Sequence, residues 1–230
     1  MPETLQSLIS VEDPAGPLLR EWLEAGDVDA VVLDAEPDRR DQCLVGLQVT
    51  LRSVLGALAY ETGGLVVDHG WLRLLGGGHG ALPSLYEALG LDDASTVPDY
   101  IVLGWDVVGG VFALDGGGLR GVKGHVCYYA PDALQWEDLD VGHAEFVRWV
   151  LTGGLSMFAG DLRWEGWEAQ AVDVPLDEVY LSDPPLWTPA GQHVDEADRR
   201  RVRVDELLAR HAEAAAAMAE APSGQAGLTV

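Results

Sequence analysis

Between residues 55 and 130 the sequence is a series of short apolar runs, each ended by glycines or by a polar turn. Runs of about five or six residues suit strands better than helices, and glycine-rich breaks suit tight hairpin connections. The series predicts antiparallel strand meanders over LGALAY, GLVVD and WLRLLG, and then over YIVLGW, VFALD and HVCYYAP. The series therefore predicts an antiparallel sheet.

Helical spacing of apolar residues appears on both sides of these runs. We expect helices from Asp13 to Gly26, after Pro37, over 82–90, before Gly153, and around Trp164 and Trp167. A short strand is expected over VDAVVL at 28–33, between the first two helices. Residues 91–99 and the proline-rich stretch 181–193 are expected to be irregular. The expected fold is α+β, a curved antiparallel sheet flanked by helices. We expect one domain over 1–204, an alanine-rich C-terminal helix over 205–220 and a disordered tail over 221–230.

The charge of the chain is strongly one-sided. Its 14 Lys and Arg residues are outnumbered by 38 Asp and Glu residues, which gives a formal net charge of -24. Such a surface repels phosphate backbones and anionic lipids, so we expect neither nucleic acid nor membrane as a partner. It complements a basic protein partner. A GC-rich genome would produce the same acidity without any partner, and that explanation stays open.

The cysteines and the apolar segments indicate a compartment. Cys43 and Cys127 are too few and too far apart for a disulfide framework, and we expect buried, reduced thiols. The first residues lack the basic start and the apolar run of a secretion signal. No apolar run approaches the ~20 residues that a membrane-spanning helix needs. We therefore expect a cytoplasmic protein.

The segment GGLVVDHGWLRLLGGGHG at 63–80 contains the strongest candidate metal ligands. Asp68, His69 and His79 offer carboxylate and imidazole groups, which zinc accepts, and His125 or Cys127 could join them from a neighbouring strand. Adjacent strand residues point to opposite faces, so only one of Asp68 and His69 would reach a given site. A metal-assisted hydrolase is one hypothesis, and histidines in turns are the alternative reading.

No cofactor or nucleophile motif accompanies these residues. The glycine runs GGGHG and LDGGGLRG lack the flanking residues of a phosphate-binding loop, and hairpin turns explain them without a ligand. No GxSxG elbow is present, and carboxylates are abundant throughout the chain. We expect no cofactor, and no catalytic constellation supports an enzyme.

A second segment, WDVVGGVFALDGG followed by HVCYYAPDALQWEDLD, combines aromatic and acidic residues. Rigid aromatic side chains inside a polar rim are typical of protein interfaces. The alternative is that the aromatic residues fill the core while the acids face water, since strand residues alternate between faces. The predicted partner-binding surface consists of Trp105, Asp106, Trp136, Glu137, Asp138 and Asp140.

Six phrases of the chain occur in the same order in one bacterial family. They are LISVEDPAGPLLREWL, LQVTLRSVLGALAYETGG, DHGWLRLLGGGH, VVGGVFALDGGG, YYAPDALQWEDLDVGHAEFVRWVLTG and DLRWEGWE. By these phrases the chain resembles, over about residues 4–200, the bacterial domain-of-unknown-function family 2625. The resemblance implies no activity, cofactor or catalytic residue.

Residues 100–152 are also similar to part of the SMI1/KNR4-type (SUKH) domains, through the order strand, D-x-x-G-G, strand, glycine loop, HVCYY, WEDL and FVRWVLTG. That likeness implies helices beside a curved antiparallel sheet, and many bacterial members are immunity proteins that bind toxin domains. Together with the charge, it makes a protein-binding module of the immunity type our leading hypothesis. A metal-assisted hydrolase and a homo-oligomeric structural protein are the alternatives.

Overall fold

The structure is a computed structural model that describes residues 2–90 and 98–220. The polar loop expected at 91–99 lies mostly outside the described residues, and the tail at 221–230, expected to be disordered, lies wholly outside them. The described residues form eight α-helices, nine strands and two short 3-10 helices.

The helices are α1 (Leu5–Ile9), α2 (Gly16–Ala25), α3 (Pro37–Leu47), α4 (Val54–Glu61), α5 (His143–Leu151), α6 (Gly154–Phe158), α7 (Trp167–Ala171) and α8 (Val204–Glu220). The strands are β1 (Ala30–Leu33), β2 (Gly64–Val67), β3 (Leu72–Leu75), β4 (Tyr100–Asp106), β5 (Val111–Asp115), β6 (His125–Ala130), β7 (Gln135–Gly142), β8 (Glu178–Asp183) and β9 (Asp198–Arg203). The 3-10 helices are Glu87–Leu89 and Gly160–Leu162.

Seven strands form one antiparallel sheet whose spatial order follows the sequence from β1 to β7. The sheet is not closed into a barrel, so β1 and β7 are its edges. Strands β8 and β9 form a separate antiparallel pair. The expected α+β class with antiparallel meanders and flanking helices is confirmed.

The two faces of the seven-stranded sheet pack against different parts of the chain, as the neighbours Tyr128 and Tyr129 on β6 show. Tyr128 contacts Phe112, with ring centroids 4.7 Å apart, and Phe112 contacts Phe146 of α5 at 5.0 Å. Tyr129 points to the opposite face, where its ring lies 6.1 Å from that of His211 on α8. Helix α5 therefore packs on one face, with α2 and α4 against it. Helix α8 packs on the β8–β9 pair and reaches the other face of the large sheet at His211.

The stretch LGALAY, expected to be a strand, belongs to helix α4, so that prediction is wrong. Ser53 caps this helix, because its hydroxyl accepts a hydrogen bond from the Gly56 amide at 3.0 Å. Residues 54–59 are all buried. A helix buried on all sides has no polar face, so its apolar run shows no 3.6-residue period and resembles a buried strand.

Three strands have no counterpart in the sequence-based prediction: the edge strand β7 and the pair β8 and β9. β7 contains three carboxylates, and β9 reads DRRRVR. An edge strand or a two-stranded sheet can expose charged side chains to water on either side, so the alternation of apolar and polar residues is lost. Residues 181–183 of the stretch expected to be irregular belong to β8.

Glycines mark several helix ends, as expected. Gly26 follows α2, and Gly90 ends the 3-10 helix Glu87–Leu89, which is shorter than the helix expected over 82–90. Helix α2 begins at Gly16, later than expected, with Pro17 in its first turn. Trp164 does not share a helix with Trp167, since α7 begins at Trp167 after Gly166, which has a φ of 75°.

The alanine-rich C-terminal segment forms α8, Val204–Glu220. Its residues Leu207 and His211 are buried, whereas Met218 near its end is 55% exposed. None of the described helices combines the length and the apolar character needed to cross a membrane.

Candidate functional site

Asp68 and His69 form the turn of the β2–β3 hairpin. Both have positive φ, 57° and 54°, so the expectation that they alternate between the faces of a strand does not apply. The Asp68 carboxylate is buried and forms an ion pair with Arg163. Because the guanidinium occupies this carboxylate, Asp68 anchors the turn and is not a free metal ligand.

The aromatic residues around this turn come from the phrases DHGW and DLRWEGWE. The Trp71 ring contacts those of Trp164 and Trp167, with centroids 6.0 and 5.2 Å apart. The Arg163 guanidinium lies 4.0 Å from the Trp167 centroid, and His69 meets the same ring edge-on at 6.1 Å. The two phrases therefore form one packed cluster that fastens the hairpin to residues 163–167.

His79 lies at the other end of the hairpin. Its Nδ1 is 2.8 Å from the Asp34 carbonyl oxygen, and its Cβ is close to Gly63, just before β2. Asp68 follows β2, so five residues of extended chain separate the two ends, about 16 Å. The structure therefore does not bring Asp68, His69 and His79 together into one site.

The glycines of GGGHG at 76–80 have packing roles. A Cβ at Gly76 would lie 2.7 Å from the Thr62 carbonyl oxygen and 2.8 Å from the Gly64 amide nitrogen. Gly78 has a φ of 96°, and a Cβ there would meet the Arg39 guanidinium at 2.6 Å. Close approach of neighbouring groups, and not only turn geometry, explains this run.

Two of the six residues predicted to form the partner-binding surface are interior. Trp105 and Asp106 are 4% and 2% exposed. Asp106 accepts hydrogen bonds from the amides of Val108 and Gly110, at 3.0 and 2.8 Å, and from the Tyr128 hydroxyl at 2.8 Å. Burial raises the pKa of Asp106 to about 6 although these hydrogen bonds oppose the shift. Asp106 therefore stabilises the β4–β5 turn. Because they are buried, Trp105 and Asp106 cannot form part of an exposed binding surface.

Trp136 lies in a groove of about 740 Å³ between the sheet and the end of α8. Its ring contacts those of Tyr129, its cross-strand partner on β6, and Tyr100 at the start of β4, with centroids 5.3 and 5.8 Å apart. Met218 of α8 lines the same groove. We call the set of Tyr100, Tyr129 and Trp136 the aromatic groove.

The three predicted acidic residues all lie on the edge strand β7, and we call Glu137, Asp138 and Asp140 the acidic edge. Glu137 and Asp140 are exposed and Asp138 is half-buried. Asp138 accepts hydrogen bonds from the amides of Val122 at 2.7 Å and Asp140 at 2.8 Å. These bonds, the Val122 bond first, hold the pKa of Asp138 below its usual value. Asp138 is therefore a fixed negative charge, whereas its two neighbours are open to a partner.

His125, Asp138 and Asp140 are the one group among the described residues whose ligand atoms lie near enough to hold a metal ion, within 4.8 Å of one another. The His125 Nδ1 is 3.0 Å from an Asp138 oxygen that also accepts the Asp140 amide. The carboxylate is thus engaged in a hydrogen-bonded network that joins β6 to β7. Of the ligands considered from the sequence, only His125 belongs to this group.

A second groove, of about 670 Å³, lies between the β8–β9 pair and α8. Three arginines and three acidic residues line it, so its charge favours neither anionic nor cationic ligands. The charged residues are Arg199, Arg200, Arg210, Asp183, Asp198 and Glu213.

Tyr100 contributes to the aromatic groove but is not part of the predicted surface. Tyr100 and Trp136 lie on β4 and β7, which β5 and β6 separate in the sheet. Their rings are in contact across those two strands. No local sequence pattern predicts such a contact, and only the order of the strands in the meander could have suggested it.

The chain matches the family described as "Protein of unknown function DUF2625" over residues 5–207. It is 36% identical over 205 residues to "Putative uncharacterized protein YbfG" of Escherichia coli (strain K12), covering 86% of this chain and 90% of that protein. It is 30% identical over 207 residues to an "Uncharacterized protein" of Haemophilus influenzae, covering 88% and 91% of the two chains. No solved structure matches the chain. The chain therefore belongs to the DUF2625 family.

Proposed function

We propose that the protein binds a basic protein partner along β7, with the acidic edge facing cations of the partner and the aromatic groove holding one of its apolar side chains. One observation carries the proposal. The edge strand of the sheet combines Trp136, which lines a groove, with the exposed carboxylates of Glu137 and Asp140. An aromatic anchor beside a charged rim is a common arrangement in protein interfaces.

The position of β7 supports contact along a strand. Within 2–90 and 98–220, no strand pairs with its outer side, and such an edge can accept an added strand, here over the residues before Asp140, whose amide is bonded to the Asp138 carboxylate. Trp136 pairs with Tyr129 and Glu137 with Tyr128, which places these two β7 side chains on opposite faces. A partner aligned with β7 would therefore meet the groove from one face and the carboxylate of Glu137 from the other.

Charge supports the choice of partner. A net charge of -24 accelerates encounter with a cationic protein and disfavours acidic ones. The likeness to SUKH immunity domains suggests the class of that partner, a cationic toxin domain. We propose the cytoplasm as the compartment, where the two unpaired cysteines would stay reduced.

Charge reversal at the acidic edge tests the proposal. The variant Glu137→Lys/Asp140→Lys is compared with Glu21→Lys/Glu24→Lys, which reverses two exposed carboxylates on α2. Each protein is immobilised on a resin and exposed to a lysate of the native host. Wild type and the α2 variant should retain the same basic protein, and the edge variant should not retain it. Retention should fall steeply when salt is raised, because exposed charges are screened. Equal retention by both variants, or retention of no basic protein, would contradict the proposal.

A homo-oligomeric structural role stays a separate hypothesis. The same high charge opposes self-association, so we expect light scattering to give the mass of a monomer. A stable dimer that survives in the edge variant would favour the structural role instead. The geometry does not support a metal-assisted hydrolase site around Asp68, His69 and His79, because these three residues do not converge.

A further inference from the structure

A layer of large side chains lies between strands β3 and β4 and the segment 163–174. Arg73 and Trp105 are cross-strand partners, and Trp71 precedes Arg73 by two residues and so shares its side of the sheet. Trp164 packs on Trp71. These four residues, Trp71, Arg73, Trp105 and Trp164, are 0%, 1%, 4% and 3% exposed, and we call them the donor layer.

The donor layer contains buried N–H groups without acceptors. Arg73 donates one hydrogen bond, from Nη2 to the Val174 carbonyl oxygen at 3.0 Å. Its Nε and Nη1, and the indole Nε1 of all three tryptophans, have no hydrogen-bond partner among the described residues. All five of these atoms are donors. Buried polar groups in folded proteins are nearly always paired, so a set of unpaired donors in one layer points to an acceptor bound beside them.

Arg73 also lacks a direct ion pair. No carboxylate of the described residues lies within ion-pair distance of it. The Asp106 carboxylate attracts the guanidinium from farther away, but its oxygens accept hydrogen bonds from Tyr128, Val108 and Gly110. Burial lowers the pKa of Arg73 to about 10, which still leaves the guanidinium charged at neutral pH. A charged group in the interior is costly unless an opposite charge accompanies it.

We propose that the donor layer binds one small anion of about the size of chloride beside the Arg73 guanidinium, with indole N–H groups as further donors. An anion is the ligand that a single positive charge and a set of donors without acceptors would recognise. We choose a small ion because each residue of the layer is at most 4% exposed, which leaves no open groove for a larger ligand. The ion would tie β3 and β4 to residues 164–174, away from the acidic edge, and the inference is independent of partner binding.

Thermal unfolding in chloride and in gluconate tests the site. Ionic strength is held constant while potassium chloride replaces potassium gluconate, so general screening of the acidic surface does not change. A ligand that binds only the folded state raises the midpoint with its concentration. We expect a rise of roughly 5–10 °C once chloride exceeds its dissociation constant about a hundredfold.

Two variants assign the effect to Arg73. Arg73→Met should abolish the chloride dependence. Arg199→Met should keep it, although it also removes a guanidinium next to this layer, 4.1 Å from the Trp164 ring. Crystals of the wild-type protein soaked in bromide should show an anomalous peak beside Arg73. This last measurement decides the question if Arg73→Met does not fold. Identical midpoints in both salts and a map without bromide would overturn the inference and leave water as the acceptor.

Discussion

Asp68 and Arg163 form an ion pair between positions 95 residues apart, and the side chain of each is 11% exposed. The pair connects the turn of the β2–β3 hairpin to the segment that carries Trp164 and Trp167. In the sequence, an aspartate next to a histidine suggests a metal-binding site. In the structure its carboxylate holds two distant parts of the chain together.

Removing one member of this pair should be strongly destabilising. Asp68→Ala leaves the Arg163 guanidinium buried without its counter-ion, and we expect a loss of about 3 kcal/mol in the free energy of unfolding. Asp29→Ala is the control, because Asp29 lies 3.6 Å from His69 with its side chain 51% exposed, and it should cost less than about 1 kcal/mol. Urea unfolding measures both. Similar losses in the two variants would show that the Asp68–Arg163 pair has no special weight.

The buried carboxylate of Asp106 should make stability depend on pH. Burial raises its pKa to about 6 in the folded protein, above the value near ~4 of an unfolded chain. The stabilisation from protonated Asp106 is therefore complete below pH ~4 and is lost as pH rises through ~6. From pH 4 to pH 7.5 the free energy of unfolding should fall by roughly 3 kcal/mol relative to that of Asp106→Asn.

The pH experiment uses urea titrations of the wild type and of Asp106→Asn across that range. The many exposed carboxylates affect both proteins equally, so the difference between them isolates Asp106. A difference that stays constant with pH, or that grows with rising pH, would contradict the raised pKa.

Neither thiol should react in the native protein. Cys43 and Cys127 are both 0% exposed. Burial raises the pKa of each thiol to about 11, and for Cys127 the charges of Asp138 and Asp115 add to the effect. Thiolate is the reactive form, so Ellman's reagent at pH 8 should label no cysteine before unfolding and both after it. Rapid labelling of one thiol in the native protein would show that its strand opens.

The close packing of the glycine run predicts a difference between two alanine substitutions. Gly76→Ala would place a Cβ 2.7 Å from the Thr62 carbonyl oxygen, and we expect a loss of about 2 kcal/mol from the resulting overpacking. Gly160→Ala has no atom within 4 Å of the new Cβ and should change stability by less than about 0.5 kcal/mol. Chemical denaturation of both variants checks this. Equal stabilities would show that the hairpin accommodates the added methyl group without loss of stability.

The antiparallel meander is readable from the sequence because glycines and polar turns separate its strands at hairpin spacing. Helix α4 is not, because burial on every side removes the polar face that reveals a helix. Strands β7 and β9 are hidden for the opposite reason. Their exposed positions allow charged residues throughout, and the alternation that marks a half-buried strand disappears.

The candidate site was predictable only in part. The aromatic and acidic composition of 135–140 directs attention to Trp136 and Glu137, which do lie at the sheet edge. The same reasoning includes Trp105 and Asp106, because composition cannot tell which strand residue faces inward when both faces of the sheet are covered. Tyr100 joins the groove only through the order of the strands.

Site-specific photo-crosslinking from β7 tests the binding of a basic partner most directly. Benzoylphenylalanine is placed at Glu137 on the acidic edge, or at Glu24 on α2 as the control, both exposed positions, and cells of the native host are irradiated. We expect an adduct with one basic protein from position 137 and none from position 24. No adduct from position 137, or the same adducts from both positions, would contradict it.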